Sequence, residues 1–125
     1  MRYLVVAAFA LAGLQCAAQV PKVPGLDCQP KIIALYEAGP NWSNSKQYVA
    51  EHLDYLRAQL KKGTLAVGGP FLGGEKGGLI VVNVSDPKEA EALVQQDPFV
   101  ANKVVTFTTR QWAHCQAAPP EQAEH

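Results

Sequence analysis

Apolar residues along this chain recur with two different periods, and the alternation between them lays out the fold. Lys31-Ile32-Ile33-Ala34-Leu35-Tyr36 is β-rich and nearly continuous in apolar residues, as in a central strand. Gly39-Pro40 marks a turn, and Asn44 stands three residues before Gln47, the spacing of a helix capping box. From Gln47 to Lys62, Val49, Leu53, Leu56 and Leu60 recur as one stripe of a helix. Lys61-Lys62 complement its negative end and Gly63 ends it. Thr64–Val67 reads as a short strand leading into Gly68-Gly69-Pro70, and Leu79–Val84 as the strongest strand of the chain. Asp86-Pro87-Lys88-Glu89 opens a second helix with inner residues Ala90, Leu93 and Val94. Pro98 interrupts that helix. From Lys103 to His114 the pattern alternates, with Val105, Phe107 and Thr109 on one face and Val104, Thr106 and Thr108 on the other.

The order is β-α-β-β-α-β, so the expected fold class is α+β. It is a ferredoxin-like antiparallel sheet with two helices on one face. Its other face is then left with apolar strand residues and no cover. A partner is expected there, most simply a second copy, which makes a homodimer.

The first segment reads as an address. Arg2 supplies a positive charge, Leu4–Leu14 is almost wholly apolar, and Cys16-Ala17-Ala18 ends the run in small residues. These are the parts of a secretory signal peptide, and the run is too short to span about 30 Å of hydrocarbon. Lipid attachment at Cys16 is disfavoured by Gln15, which is larger than the residue usual before a lipidated cysteine. The expected division is therefore a signal peptide over 1–18, an extended leader over 19–29, a domain over 30–115 and a disordered tail over 116–125. Export to the periplasm or the extracellular space follows, with no stable membrane association after cleavage.

The chain has 125 residues, 11 of them Lys or Arg and 11 Asp or Glu. Without Arg2 the balance is 10 to 11. This neutrality argues against nucleic-acid binding, which draws on a basic stripe to displace counterions. Three cysteines suit neither a disulfide framework nor a zinc site, but Cys16 falls in the leader. Cys28 lies just before the first strand and Cys115 just after the last. Those strands are antiparallel neighbours in a ferredoxin-like sheet, so the two cysteines come within bridging range. An oxidising compartment would preserve the bond.

The candidate chemistry is sparse. His52 borders the apolar stripe of the first helix, where a histidine is commonly a packed boundary residue. His114 and His125 make no metal spacing with another ligand, so no metal site is expected. Asp97-Pro98 is a good cap for a short helical turn, yet it follows the negative end of a helix, which repels a carboxylate. A cationic or hydrogen-bonding partner would relieve that repulsion. The Gly68–Gly78 stretch has no Gly-Lys-Ser/Thr and carries Glu75, so it reads as a hairpin connection and not a phosphate cradle. No Gly-x-Ser-x-Gly elbow occurs.

His52-Leu53, Gly63 eleven residues after the histidine, Gly69-Pro70 and Asp97-Pro98-Phe99 together resemble the YCII-related proteins, over about Ile32–Trp112. The resemblance implies a ferredoxin-like dimeric α/β barrel with His52 and Asp97 paired in a pocket, without a cofactor. Gly69, Pro70 and Phe99 would line that pocket. On this reading His52 is a general acid/base and Asp97 orients its ring, for elimination, isomerisation or hydrolysis of a small organic molecule. The alternative is a non-catalytic homodimeric module that binds a small ligand or another protein through the same surfaces. The family is mostly cytosolic and lacks a leader, in contrast to the export expected here.

Overall fold

The computed structural model describes residues 19–120. The expected signal peptide, Cys16 and the last five residues, His125 among them, lie outside the described residues. In chain order the elements are β1 (Leu26–Ala38), a 3-10 turn (Trp42–Gln47), α1 (Val49–Lys62), β2 (Leu65–Pro70), β3 (Gly78–Val82), α2 (Pro87–Gln95), α3 (Pro98–Ala101) and β4 (Val105–Ala117). The four strands form one antiparallel sheet in the order β2-β3-β1-β4, the ferredoxin-like arrangement expected. Among the described residues no helix is long and apolar enough to cross a membrane.

Period-2 alternation sorts β1 between the two sheet faces. Ile32, Ala34 and Tyr36 are buried and join Leu65, Ile80, Val82, Ala90, Val94, Val104 and Val105 in the core beneath the helices. Ile33 and Leu35 point the other way and are half-buried. With Val67 and Leu79, which lie on that same face, they form the apolar outer surface of the sheet, around a buried Val81. Val67 there is 59% exposed.

Several expected boundaries move. β1 begins at Leu26, so four residues of the expected leader belong to the sheet, and β4 runs to Ala117, past the expected start of the tail. Each strand alone is weakly patterned at these ends. Their mutual pairing carries the ladder outward from Lys31↔Trp112 to Leu26↔Ala117. Cys28 and Cys115 are direct partners in this ribbon and form a disulfide.

The capping box does not form. Asn44 Nδ2 donates to Asn41 Oδ1 (2.6 Å) inside the 3-10 turn, and α1 starts later, behind Tyr48, with no side-chain cap. Gly63 does stop α1 in the left-handed conformation (φ 79°).

The expected stripe of α1 is also rotated. Val49, Leu53 and Leu60 are 38%, 38% and 46% exposed, whereas Gln59 is buried and Leu56 is half-buried. The inner face is Tyr48, His52, Tyr55, Leu56 and Gln59. Polar atoms can face inward here because they find partners: Gln59 bonds the Thr64 hydroxyl, and Tyr55 donates to the Leu93 carbonyl.

The openings of α2 and α3 form as their sequences suggest. Asp86 accepts from Lys88 N (3.1 Å) and Asp97 from Phe99 N (2.9 Å), each with proline in the first turn.

Candidate active site

Three elements converge on Asp97. As the N-cap of α3, it places Oδ1 in front of the Phe99 amide. From β1, Tyr36 stands on the helix side of the sheet and donates its hydroxyl to Oδ2 at 2.9 Å. From α1, His52 Nδ1 lies 2.7 Å from Oδ1. Asp97 is wholly buried, while the His52 side chain keeps 14% of its surface. The repulsion expected from the end of α2 is thus offset by three donors.

These contacts fix the protonation pattern of the ring. An ionised carboxylate only accepts hydrogen bonds, so the His52–Asp97 bond requires a proton on Nδ1. In the neutral imidazole, Nε2 is then the nitrogen with a free lone pair. Phe99 holds the ring from one side: the two rings stack with centroids 3.9 Å apart and 3° between their planes.

The neighbouring phenols respond to the same surroundings. Burial first, and then the negative charge of Asp97, keep Tyr36 protonated far above the ordinary tyrosine range. Burial and Asp97 push Tyr55 up in the same direction. Both stay neutral, and Tyr36 therefore serves Asp97 as a donor.

Of the residues expected at the site, His52, Asp97 and Phe99 come together. Gly69 and Pro70 are exposed at the end of β2. Pro70 pairs with Gly78 and Gly78 with Tyr36, so Pro70 sits two strands away from Tyr36 in one cross-strand row. The Gly-rich stretch is a hairpin connection between β2 and β3, closed by Phe71 N donating to the Gly77 carbonyl at 3.0 Å. Two clefts of about 440 and 510 Å³ lie at the other end of β1, one beside Pro30, Lys31 and Trp112 and one along 20–28; neither includes the pair. Among the described residues no group of three or more His, Cys, Asp or Glu side chains comes together.

Tyr36 and Tyr55 are the residues that sequence reasoning missed. A signal for Tyr36 was present: alternation places it with Ile32 and Ala34 on the helix side, where a phenol needs a polar partner.

Residues 31–111 match the model of the YCII-related domain. The chain belongs to this family. No curated protein matches it in sequence. Among solved structures it is similar to 5-chloro-2-hydroxyhydroquinone dehydrochlorinase from Burkholderia phenoliruptrix AC1100, in complex with 2,5-dihydroxybenzoquinone. The TM-score is 0.57 at 22% identity, covering 67% of this chain and 94% of that one. At this identity the likeness is one of fold. The β1–β4 ribbon outward of Lys31 and Gln111, with its disulfide, lies outside the family match.

Proposed function

We propose that this YCII-related protein is a cofactor-independent enzyme in which His52 is the general acid/base and Asp97 its orienting partner. The observation that carries the reading is the set of three hydrogen bonds on Asp97, which leaves Nε2 of His52 as the ring's proton-accepting atom. In an elimination, Nε2 takes a proton from the substrate. The electron pair of the broken bond forms the new double bond, and the leaving group departs with its own pair. Asp97 holds Nδ1–H throughout and stabilises the imidazolium that forms. Phe99 limits rotation of the ring. The substrate is a small hydroxylated organic molecule. The dehydrochlorinase that shares this fold supports elimination from a hydroxylated, halogen-bearing ring as the first reaction to examine.

The protein acts as an exported homodimer on this reading. Support for export comes from the apolar N-terminal run and from the Cys28–Cys115 disulfide, which persists in oxidising compartments. The apolar outer sheet face of Ile33, Leu35, Val67 and Leu79 supports a second copy.

The test is turnover of a panel of chlorinated hydroxyhydroquinones by the purified mature protein. A product that wild type releases and His52→Gln does not, with folding intact, is expected. Equal rates in the two proteins would remove His52 from the chemistry. Saturable binding of dihydroxybenzoquinone by both proteins, with no turnover by either, would favour the binding module instead.

A further inference from the structure

We infer that Tyr36 is a positioning residue for the His52–Asp97 pair: by donating to Oδ2 it holds the Asp97 carboxylate in the plane that presents Oδ1 to His52 Nδ1. The inference rests on the acid–base reading of the site, yet it is tested without a substrate.

The terminal torsion of an aspartate is broad and two-fold, so one bond to Oδ1 leaves the carboxylate plane loosely set. Oδ1 already serves two donors, Phe99 N at 2.9 Å and His52 Nδ1 at 2.7 Å. Oδ2 has Tyr36, at 2.9 Å. Asp97 has no exposed surface, so solvent does not substitute for a lost donor. Without the phenol, Oδ2 becomes a buried acceptor with no partner. The carboxylate then gains by turning, and the His52 bond loosens with it.

Tyr36 is itself tightly placed. It pairs with Gly78 on one side and Phe107 on the other. Gly77 adopts φ +99°, and a Cβ there would stand 2.0 Å from the Tyr36 carbonyl oxygen. The bare glycine lets the loop close directly over the Tyr36 backbone. The end of the Gly-rich stretch thereby fixes the strand position that aims the hydroxyl at Asp97.

Tyr55 supplies the control. It is the second phenol influenced by Asp97, but its hydroxyl donates to the Leu93 carbonyl and not to the carboxylate.

The experiment is nitrogen-15 NMR of the neutral His52 ring in the full chain. Wild type is expected to show the Nδ1–H tautomer. In Tyr36→Phe the ratio of Nδ1–H to Nε2–H forms is expected to fall by about tenfold, the factor one charge-assisted hydrogen bond carries. Tyr55→Phe should leave the ratio unchanged. A wild-type ratio in folded Tyr36→Phe, with only a lower melting temperature, overturns the inference. If that variant does not fold, 3-fluorotyrosine incorporated in the Tyr55→Phe background keeps the hydroxyl and makes it a stronger donor. The His52 Nδ1 proton resonance should then move, and an unmoved resonance overturns the inference equally. A loss of tautomer order in a protein without turnover would leave the positioning role standing and remove the proposed activity.

Discussion

Replacing Asp97 separates what its shape contributes from what its charge contributes. In Asp97→Ala the cap on the Phe99 amide is lost, which costs about 1 kcal/mol. The Tyr36 hydroxyl is left buried without an acceptor, at about 1–3 kcal/mol. His52 is partly exposed, and part of its loss is recovered through water. The expected destabilisation is therefore about 2–4 kcal/mol, which a domain with roughly 5–15 kcal/mol of stability survives. Asp97→Asn behaves differently. Its amide oxygen must occupy the Oδ1 position, because the Phe99 amide can only donate there. That oxygen can still accept from His52 Nδ1–H, and the new NH2 group faces Tyr36 Oη, which can accept. Geometry and tautomer are kept while the negative charge is lost. The Tyr36 O–H proton still loses its acceptor, at about 1–3 kcal/mol. The cap on the Phe99 amide stays, so the cost should fall about 1 kcal/mol below that of the alanine variant. Urea unfolding of wild type and both variants, with equal m-values, measures the two costs. An asparagine variant as unstable as the alanine variant would refute the hydrogen-bond assignment. So would an alanine variant within about 0.5 kcal/mol of wild type. If the acid–base proposal holds, Asp97→Asn should still lower turnover, since the imidazolium loses its counter-charge.

Two further perturbations probe the fold around the site. Tyr36 ionises in the unfolded chain near pH 10 but stays protonated in the folded one, so its contribution is intact below pH 10 and is lost as pH rises beyond it. Unfolding titrations above pH 10 should show stability falling faster in wild type than in Tyr36→Phe, by about 1.4 kcal/mol per pH unit, and parallel slopes would contradict the burial of this phenol. The Cys28–Cys115 bond spans 87 residues, which in the chain-entropy model is worth about 4–5 kcal/mol. The Cys28→Ser, Cys115→Ser double variant should unfold at markedly lower urea, and a free-thiol count of two in the oxidised wild-type mature protein would mean that the bond does not form.

Local signals were legible wherever one short segment decided the outcome. Asp86-Pro87 and Asp97-Pro98 open their helices, Gly63 ends α1, and the apolar run at Ile32–Tyr36 becomes a central strand. A cap needs only its own residues and the next few amides, so the chain states it directly. The pairing of Cys28 with Cys115 followed from strand order, which the sequence of elements already implied. Within the candidate site, the meeting of His52 with Asp97 was legible through the spacing these residues share with YCII-related proteins, and Phe99 stacks on the same ring.

The tertiary structure alone decided which face of α1 turns inward. Period 3.6 identifies a stripe of Val49, Leu53, Leu56 and Leu60, but the docked face is the neighbouring one that carries His52, Tyr55 and Gln59. Hydrophobic pattern rates those residues as outward because it cannot see their partners: Asp97 on another helix, the Leu93 carbonyl and the Thr64 hydroxyl. A polar side chain is excluded from the interior only when its hydrogen bonds go unmade, and whether they are made depends on elements distant in sequence. The same holds for Tyr36, 61 residues before the aspartate it holds. The sequence by itself determined the order of elements and the residue types available for chemistry. Only the fold decided that one phenol, one backbone amide and one imidazole would meet on a single buried carboxylate.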